Sequence, residues 1–258
     1  MSTLDFSPAP GAAPLSRMVA AHAAIETRLL LRNGEQLLLA IVIPLLLLVA
    51  GANAEGVLDL GGGRRIDVLT PGVLALAVMS TAFTSLAIAT AFERRYGVLK
   101  RLGASPLPRV GLLLGKACSV LFIELAQLTL IGAAGLALGW RPAGGVTAVA
   151  ACCLLVVLGT AAFAGLGLLM AGTLRAEATL AAANLVYVVL LAAGAVVVPL
   201  SKYPDSIQPV VAWLPSGALA EGLREVTAGA GLAEQRLLVL ACWSIVASAV
   251  AVKTFKWE

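Results

Sequence analysis

Six apolar stretches, each bounded by charge, constrain this chain more than any other feature. A helix rises about 1.5 Å per residue and the hydrocarbon layer is about 30 Å thick, so about 20 consecutive apolar residues cross it. Stretches of that order lie at residues 36–54, 68–92, 117–140, 146–174, 178–200 and 235–253. The chain is 60% hydrophobic and only 12% charged, against about 25% charged in soluble domains. A soluble fold of this length cannot bury so much apolar surface. In lipid, each backbone polar group must be satisfied within its own segment, and for runs of this length the helix does so. The expected fold is therefore all-α: a polytopic integral membrane protein of six transmembrane helices, with membrane lipid as its solvent. Six spans place both termini on one side.

Residues 1–14 are rich in Pro, Ala and Ser, lack Lys and Arg, and read as a disordered tail; residues 15–258 form the membrane domain. The first apolar run begins only at Leu37, too late for the core of a signal peptide, so the first span is expected to remain in the mature protein. Residues 15–34 are amphipathic. Leu15, Met18, Val19, His22, Ile25 and Leu29 share one helical face, and Arg17, Arg28 and Arg32 fall elsewhere. That pattern predicts a basic helix lying in the membrane interface; the alternative is a helix packed on the bundle.

Orientation follows from loop charge. With the N-terminus cytoplasmic, the inner segments hold twelve Lys and Arg: Arg17, Arg28, Arg32, Arg94, Arg95, Lys100, Arg101, Arg109, Lys116, Arg175, Lys253 and Lys256. The outer segments hold six: Arg64, Arg65, Arg141, Lys202, Arg224 and Arg236. The positive-inside rule then places both termini in the cytoplasm and the protein in the cytoplasmic (inner) membrane. The net charge of +4 has the same origin. No basic face with interleaved aromatics exists outside the spans, so nucleic acid is not an expected partner.

The densest basic segment is ERRYGVLKRLGASPLPRVGLLLGK, Glu93 to Lys116, between the second and third spans. Glu93 to Leu102 can continue as a short helix. Gly103 and the Ser105–Pro106 step stop it, and Pro108 precedes the next helix. A short charged cytoplasmic helix between two spans is where a membrane protein meets a soluble partner.

Catalytic constellations are missing from the sequence. Gly111-Leu-Leu-Leu-Gly115-Lys116 fails as a phosphate-binding loop, with three residues between the glycines and Ala117 after the lysine; it reads as a small-residue packing pair. His22 is the only histidine, which excludes histidine-pair metalloprotease motifs and histidine-based triads. Cys118, Cys152, Cys153 and Cys242 sit in apolar runs without metal-ligand spacing. No metal site and no catalytic residue are expected. Within the spans the one carboxylate is Glu124, with Gln127 three residues on along the same face. Asn184 and Tyr187 repeat the spacing in the fifth span. Such polar stripes either line a substrate path or hydrogen-bond helices together; a proton relay would need a second buried ionisable group. Between residues 202 and 236 the sequence reads as one or two amphipathic helices broken at Pro215, with Trp213 as an interface anchor.

The Glu93–Lys116 segment, followed by a span bearing Glu124 and Gln127, resembles the signature region of ABC-2 type permeases, and among them suggests the daunorubicin-resistance-like drug-export branch. An E-R-x-x-G-x-x-x-x-L-x-x-S-P pattern matches Glu93, Arg94, Gly97, Leu102, Ser105 and Pro106; Val98 stands where the family often has Thr. Leu214, Pro215 and Arg224 fit the family's outer amphipathic segment. The resemblance implies a cytoplasmic coupling helix and an ATPase-coupling interface at Glu93, Arg94, Arg95, Tyr96, Gly97, Lys100, Arg101, Ser105 and Pro106. It implies two permease copies, as a homodimer, and two copies of a cytosolic ATP-binding subunit. ATP and Mg would be bound by that subunit and no cofactor by this chain, which is not itself an enzyme. The expected task is ATP-driven export of a drug, lipid or glycolipid, with Glu124, Gln127, Asn184 and Tyr187 as the candidate translocation path. The alternative is an ion-coupled secondary transporter that uses Glu124.

Overall fold

The structure, a computed structural model, describes residues 11–53 and 64–255, and leaves the side chains of residues 35, 36, 37 and 39 undescribed. Of the expected N-terminal tail, residues 1–10 lie outside the described residues, and 11–14 are exposed and without regular structure. Every regular element among the described residues is a helix.

Helix α1 (Leu15–Arg32) begins after Pro14, whose carbonyl accepts the first free amides, from Arg17 and Met18. It is followed by α2 (Gly34–Asn53), which continues through Pro44. Next comes an unbroken 31-residue helix, Arg65–Arg95. It consists of α3 (Arg65–Val78), a π-helical stretch (Met79–Ser85) and α4 (Leu86–Arg95). A short α5 (Val98–Gly103) leads to α6 (Arg109–Ala137), then α7 (Gly145–Thr173) and α8 (Ala176–Ala193). Two further short helices, α9 (Gln208–Trp213) and α10 (Pro215–Thr227), precede α11 (Glu234–Thr254).

Five of these helices are long and apolar enough to cross a membrane: Arg65–Arg95, α6, α7, α8 and α11. The segment expected to form the first span lies in α2, which contributes a shorter apolar stretch, Ala40–Asn53. The protein is an all-α polytopic membrane protein. Its core is built from Leu76, Met79, Phe83, Leu155, Phe163 and Leu219. Val146, Leu185, Val188, Leu238 and Ile245 point outward and stay exposed, as lipid-facing side chains should.

Several boundaries differ from the sequence reading, each for a physical reason. The third span was expected from residue 117, after Lys116, but α6 starts two turns earlier at Arg109. Lys116 is buried and ion-paired, so its charge does not end the apolar segment. The fifth span was expected to reach residue 200, but α8 stops at Ala193, ahead of an irregular stretch in which Ala195 takes a left-handed φ of 55°. The carbonyls released there are bound by a side chain from α10, described below. The break at Pro215 falls where expected: Leu214 is extended (ψ 142°), as the residue before a proline prefers.

Candidate functional site

The elbow after the second span is built from two helices rather than one. Glu93, Arg94 and Arg95 form the last turn of α4. Tyr96 ends it, and Gly97 turns the chain with φ 72°, a left-handed conformation that glycine adopts without the steric penalty of a Cβ. Val98 opens α5, and Leu99 at its start is completely buried, pinning the short helix to the bundle. The Ser105 hydroxyl donates to the Leu102 carbonyl and accepts from the Leu107 amide, closing α5. Arg95, Tyr96, Lys100, Arg101, Ser105 and Pro106 are exposed.

Two arginines tie the elbow sideways. Arg94 donates to the Leu174 carbonyl between α7 and α8, and Arg95 pairs with Glu177 in the first turn of α8. Glu93 is directed inward instead. Its carboxylate stands 2.6 Å from Lys116 Nζ of α6, and the same ammonium donates to Glu26 of α1 at 2.9 Å. Lys116 is 1% exposed. His22, one turn before Glu26, has Nε2 3.6 Å from the Glu26 carboxylate. Burial pushes the His22 pKa below its ordinary value; Glu26 opposes that shift and Lys116 adds to it. The ring of His22 fills the space over Gly115, and Leu15 and Leu107 fill the space over Gly111. The two glycines are thus a packing pair whose partner is α1. Ile25 and Leu29, further along α1, remain exposed, so the helix packs on the bundle around His22 and leaves apolar side chains for lipid beyond it.

Deeper in the bundle, Glu124 and Gln127 lie on the buried face of α6. Thr160 of α7 donates to Glu124, whose other oxygen, Oε1, is buried without a hydrogen-bond partner among the described residues. Thr81 of the π-helical stretch donates to Gln127 Oε1 at 3.0 Å, and Gln127 Nε2 donates to the Ala40 carbonyl of α2. The structure does not bring Asn184 into this group: Asn184 is exposed on α8. Tyr187 is half-buried and faces Ser80, on the same π-helical stretch that carries Thr81. The stretch therefore meets polar groups from α6 at one residue and from α8 at the previous one.

The sequence profile of the ABC-2 type transporter family matches residues 17–227, from α1 through α10 and across both polar clusters. The chain belongs to the ABC-2 type transporter family. No curated protein matches it. As an ABC-2 membrane domain it is an ABC-type permease subunit, a transport component that is not itself a catalyst, and permeases of this family normally work with an ATP-binding subunit.

At the other end of the permease, Arg224 of α10 is the residue whose role was least visible in the sequence. It is 9% exposed and donates to the carbonyls of Val68, Ala195 and Val196 and to Glu221. One guanidinium thus holds α10 against α3 and satisfies the backbone left open where α8 ends. Its partners lie 156, 29, 28 and 3 residues away, and only the last is a helix neighbour. Trp213 is exposed at the end of α9, and its carbonyl accepts a hydrogen bond from Trp243 of α11. Among the described residues no three His, Cys, Asp or Glu side chains gather as metal ligands.

Proposed function

We propose that this permease is the membrane subunit of an ATP-driven exporter of a hydrophobic or amphipathic substrate, such as a drug, lipid or glycolipid. Two copies would pair as a homodimer and engage two copies of a separate cytosolic subunit that binds ATP and Mg. Both termini and the α5 elbow would face the cytoplasm of the inner membrane. The observation that carries the reading is the elbow. Its outer surface presents Arg95, Tyr96, Lys100 and Arg101, while Glu93, at the end of the same span, is locked to α1 and α6 through Lys116. Force applied at such an exposed knob reaches three helices at once. Within the contact set, Arg95, Tyr96, Lys100, Arg101, Ser105 and Pro106 would touch the ATPase. Glu93 and Arg94 would hold the knob in place, and Gly97 would shape it.

Substrate would pass along the polar face of α6, Glu124 and Gln127, with Tyr187 contributing through the π-helical stretch; the exposed Asn184 would face lipid or the second copy. ATP-state-dependent contacts at the elbow would shift the equilibrium between conformations. The test is co-expression with an ATP-binding subunit, reconstitution, and assay of transport and ATP hydrolysis in Lys100→Glu/Arg101→Glu. The doubly reversed protein is expected to insert normally while transport is lost and hydrolysis uncouples from it. Normal transport in that variant refutes the reading. The unpartnered oxygen of Glu124 favours one rival, an ion-coupled carrier, which would show substrate flux driven by a proton gradient with no ATP present.

A further inference from the structure

A cavity of about 180 Å³ lies where α1, α2, α4 and α6 meet. Its floor is apolar, with Leu86, Val120 and Ile123 among the lining residues, and Ser85 and Ser119 add hydroxyls. Its polar wall is the ion set Glu26, Glu93 and Lys116. Leu29, on the α1 side, is itself 58% exposed, so the mouth opens toward the outside of the bundle rather than toward its centre.

The charge of this wall does not balance. Among the described residues two carboxylates share one ammonium, at 2.6 and 2.9 Å, and the adjoining His22 is held toward its neutral form by burial. With both carboxylates ionised this wall carries one net negative charge beside an apolar chamber; burial raises the Glu93 pKa, and a cation placed there would favour its ionised form. A ligand anion would meet that excess and find Lys116 already shared. A ligand cation would complete a two-against-two set and place its apolar body on Leu86, Val120 and Ile123. A chamber of about 150 Å³ is enough for a benzene-sized group, so an ammonium with a ring or a few methylenes fits, and a longer tail can leave past Leu29.

We propose that this cavity is a binding site for an amphipathic molecule bearing an organic ammonium, entering from the membrane interface past Leu29 of α1. Because Glu93 is part of the wall and is followed within four residues by the Gly97 turn, an occupied site acts directly on the elbow. Its use as a loading or sensing site rests on the transport reading. The binding itself needs no ATPase, so the two fail separately.

The full-length permease in phosphatidylglycerol nanodiscs, whose headgroups carry no ammonium, would be titrated with dansylcadaverine, a primary ammonium on an aromatic body. Its N-acetylated neutral analogue and a matched dansyl carboxylate serve as controls, and protein-free nanodiscs give the partition background. Saturable binding of the ammonium probe is expected, weaker by about tenfold or more for both analogues. Glu93→Gln removes the excess charge while leaving the Lys116–Glu26 pair, and is expected to abolish the preference for the ammonium probe. Ala89→Phe fills the chamber without changing charge, and is expected to remove binding of all three. Equal binding of the neutral analogue, or undiminished ammonium binding in either folded variant, overturns the proposal. Displacement of the probe by added phosphatidylethanolamine identifies a membrane lipid as the natural source of the ammonium; no displacement identifies a freely diffusing cationic amphiphile.

Discussion

Replacing Lys116 by Met tests how α1 is held to the bundle. The ammonium is 1% exposed and serves Glu26, 13% exposed, and Glu93, 24% exposed. Removing the shared partner of a buried ion set leaves uncompensated charge, at about 3–5 kcal/mol. Both carboxylates keep some access to water, so the lower end, about 3 kcal/mol, is the appropriate figure. At 1.4 kcal/mol per decade this shifts α1 docking by about 100-fold. The assay is amide hydrogen exchange of α1 in nanodiscs, which reads local opening directly. Lys116→Met should raise exchange through α1 by about that factor while α7 and α11 stay unchanged. A triple variant, Lys116→Met with Glu26→Gln and Glu93→Gln, should recover most of the protection, because an ion set replaced by neutral groups leaves no stranded charge. If α1 exchange in Lys116→Met matches the parent, the apolar and glycine contacts of α1 suffice and the ionic account is wrong. If the triple variant is as open as the single one, stranded charge is not the cause.

Three other predictions follow from the same structure. Arg224→Met strands Glu221 and leaves the carbonyls of Val68, Ala195 and Val196 without their donor, and should destabilise the fold by about 3 kcal/mol or more; thermal unfolding in detergent measures it, and an unchanged midpoint refutes the stapling role. The lowered pKa of His22 means that the unfolded or undocked chain takes up a proton more readily than the docked one. The stability of α1 docking should therefore be full above about pH 6.5 and fall as pH drops below that value. Hydrogen exchange of α1 at pH 7.5 and 5.5 checks the sign, with Glu26, Glu93 and Lys116 as the facing charges and His22→Gln as the variant that should lose its share of the pH dependence. Glu124→Gln should preserve assembly and reduce transport; full transport activity would leave the polar face of α6 as packing alone.

How much of this was legible in the sequence depended on the range of the interaction. Apolar length gave the helical membrane architecture, since the requirement is local to each segment. The Pro215 break and the α5 stop were legible because proline and serine act on neighbouring backbone. Treating charges as span boundaries failed at Lys116, whose partners lie 90 and 23 positions away on other helices. The same limit hid Arg224, two of whose carbonyl partners, Ala195 and Val196, become available only once α8 has ended. It also separated Asn184 from Glu124, because i, i+3 spacing shows that residues share a face but not whether that face turns inward. The π-helical stretch Met79–Ser85 has no composition signal that distinguishes it from its α-helical flanks, although its Ser80 and Thr81 are the residues that meet Tyr187 and Gln127.

Glu93 and Arg95 are two residues apart on one helical turn, yet their attachments differ greatly in strength. The Glu93–Lys116 contact is shielded, whereas Arg95 and Glu177 are 52% and 63% exposed, and an exposed pair contributes about 0–1 kcal/mol. The elbow is thus a lever with a fixed fulcrum and a lightly tethered arm. Moving the Arg95 side of the elbow breaks the weak outer tie first and swings about the strong inner one, while the buried Leu99 keeps α5 against the bundle. Raised ionic strength should loosen Arg95 from Glu177 of α8 and leave the pivot on α6 intact.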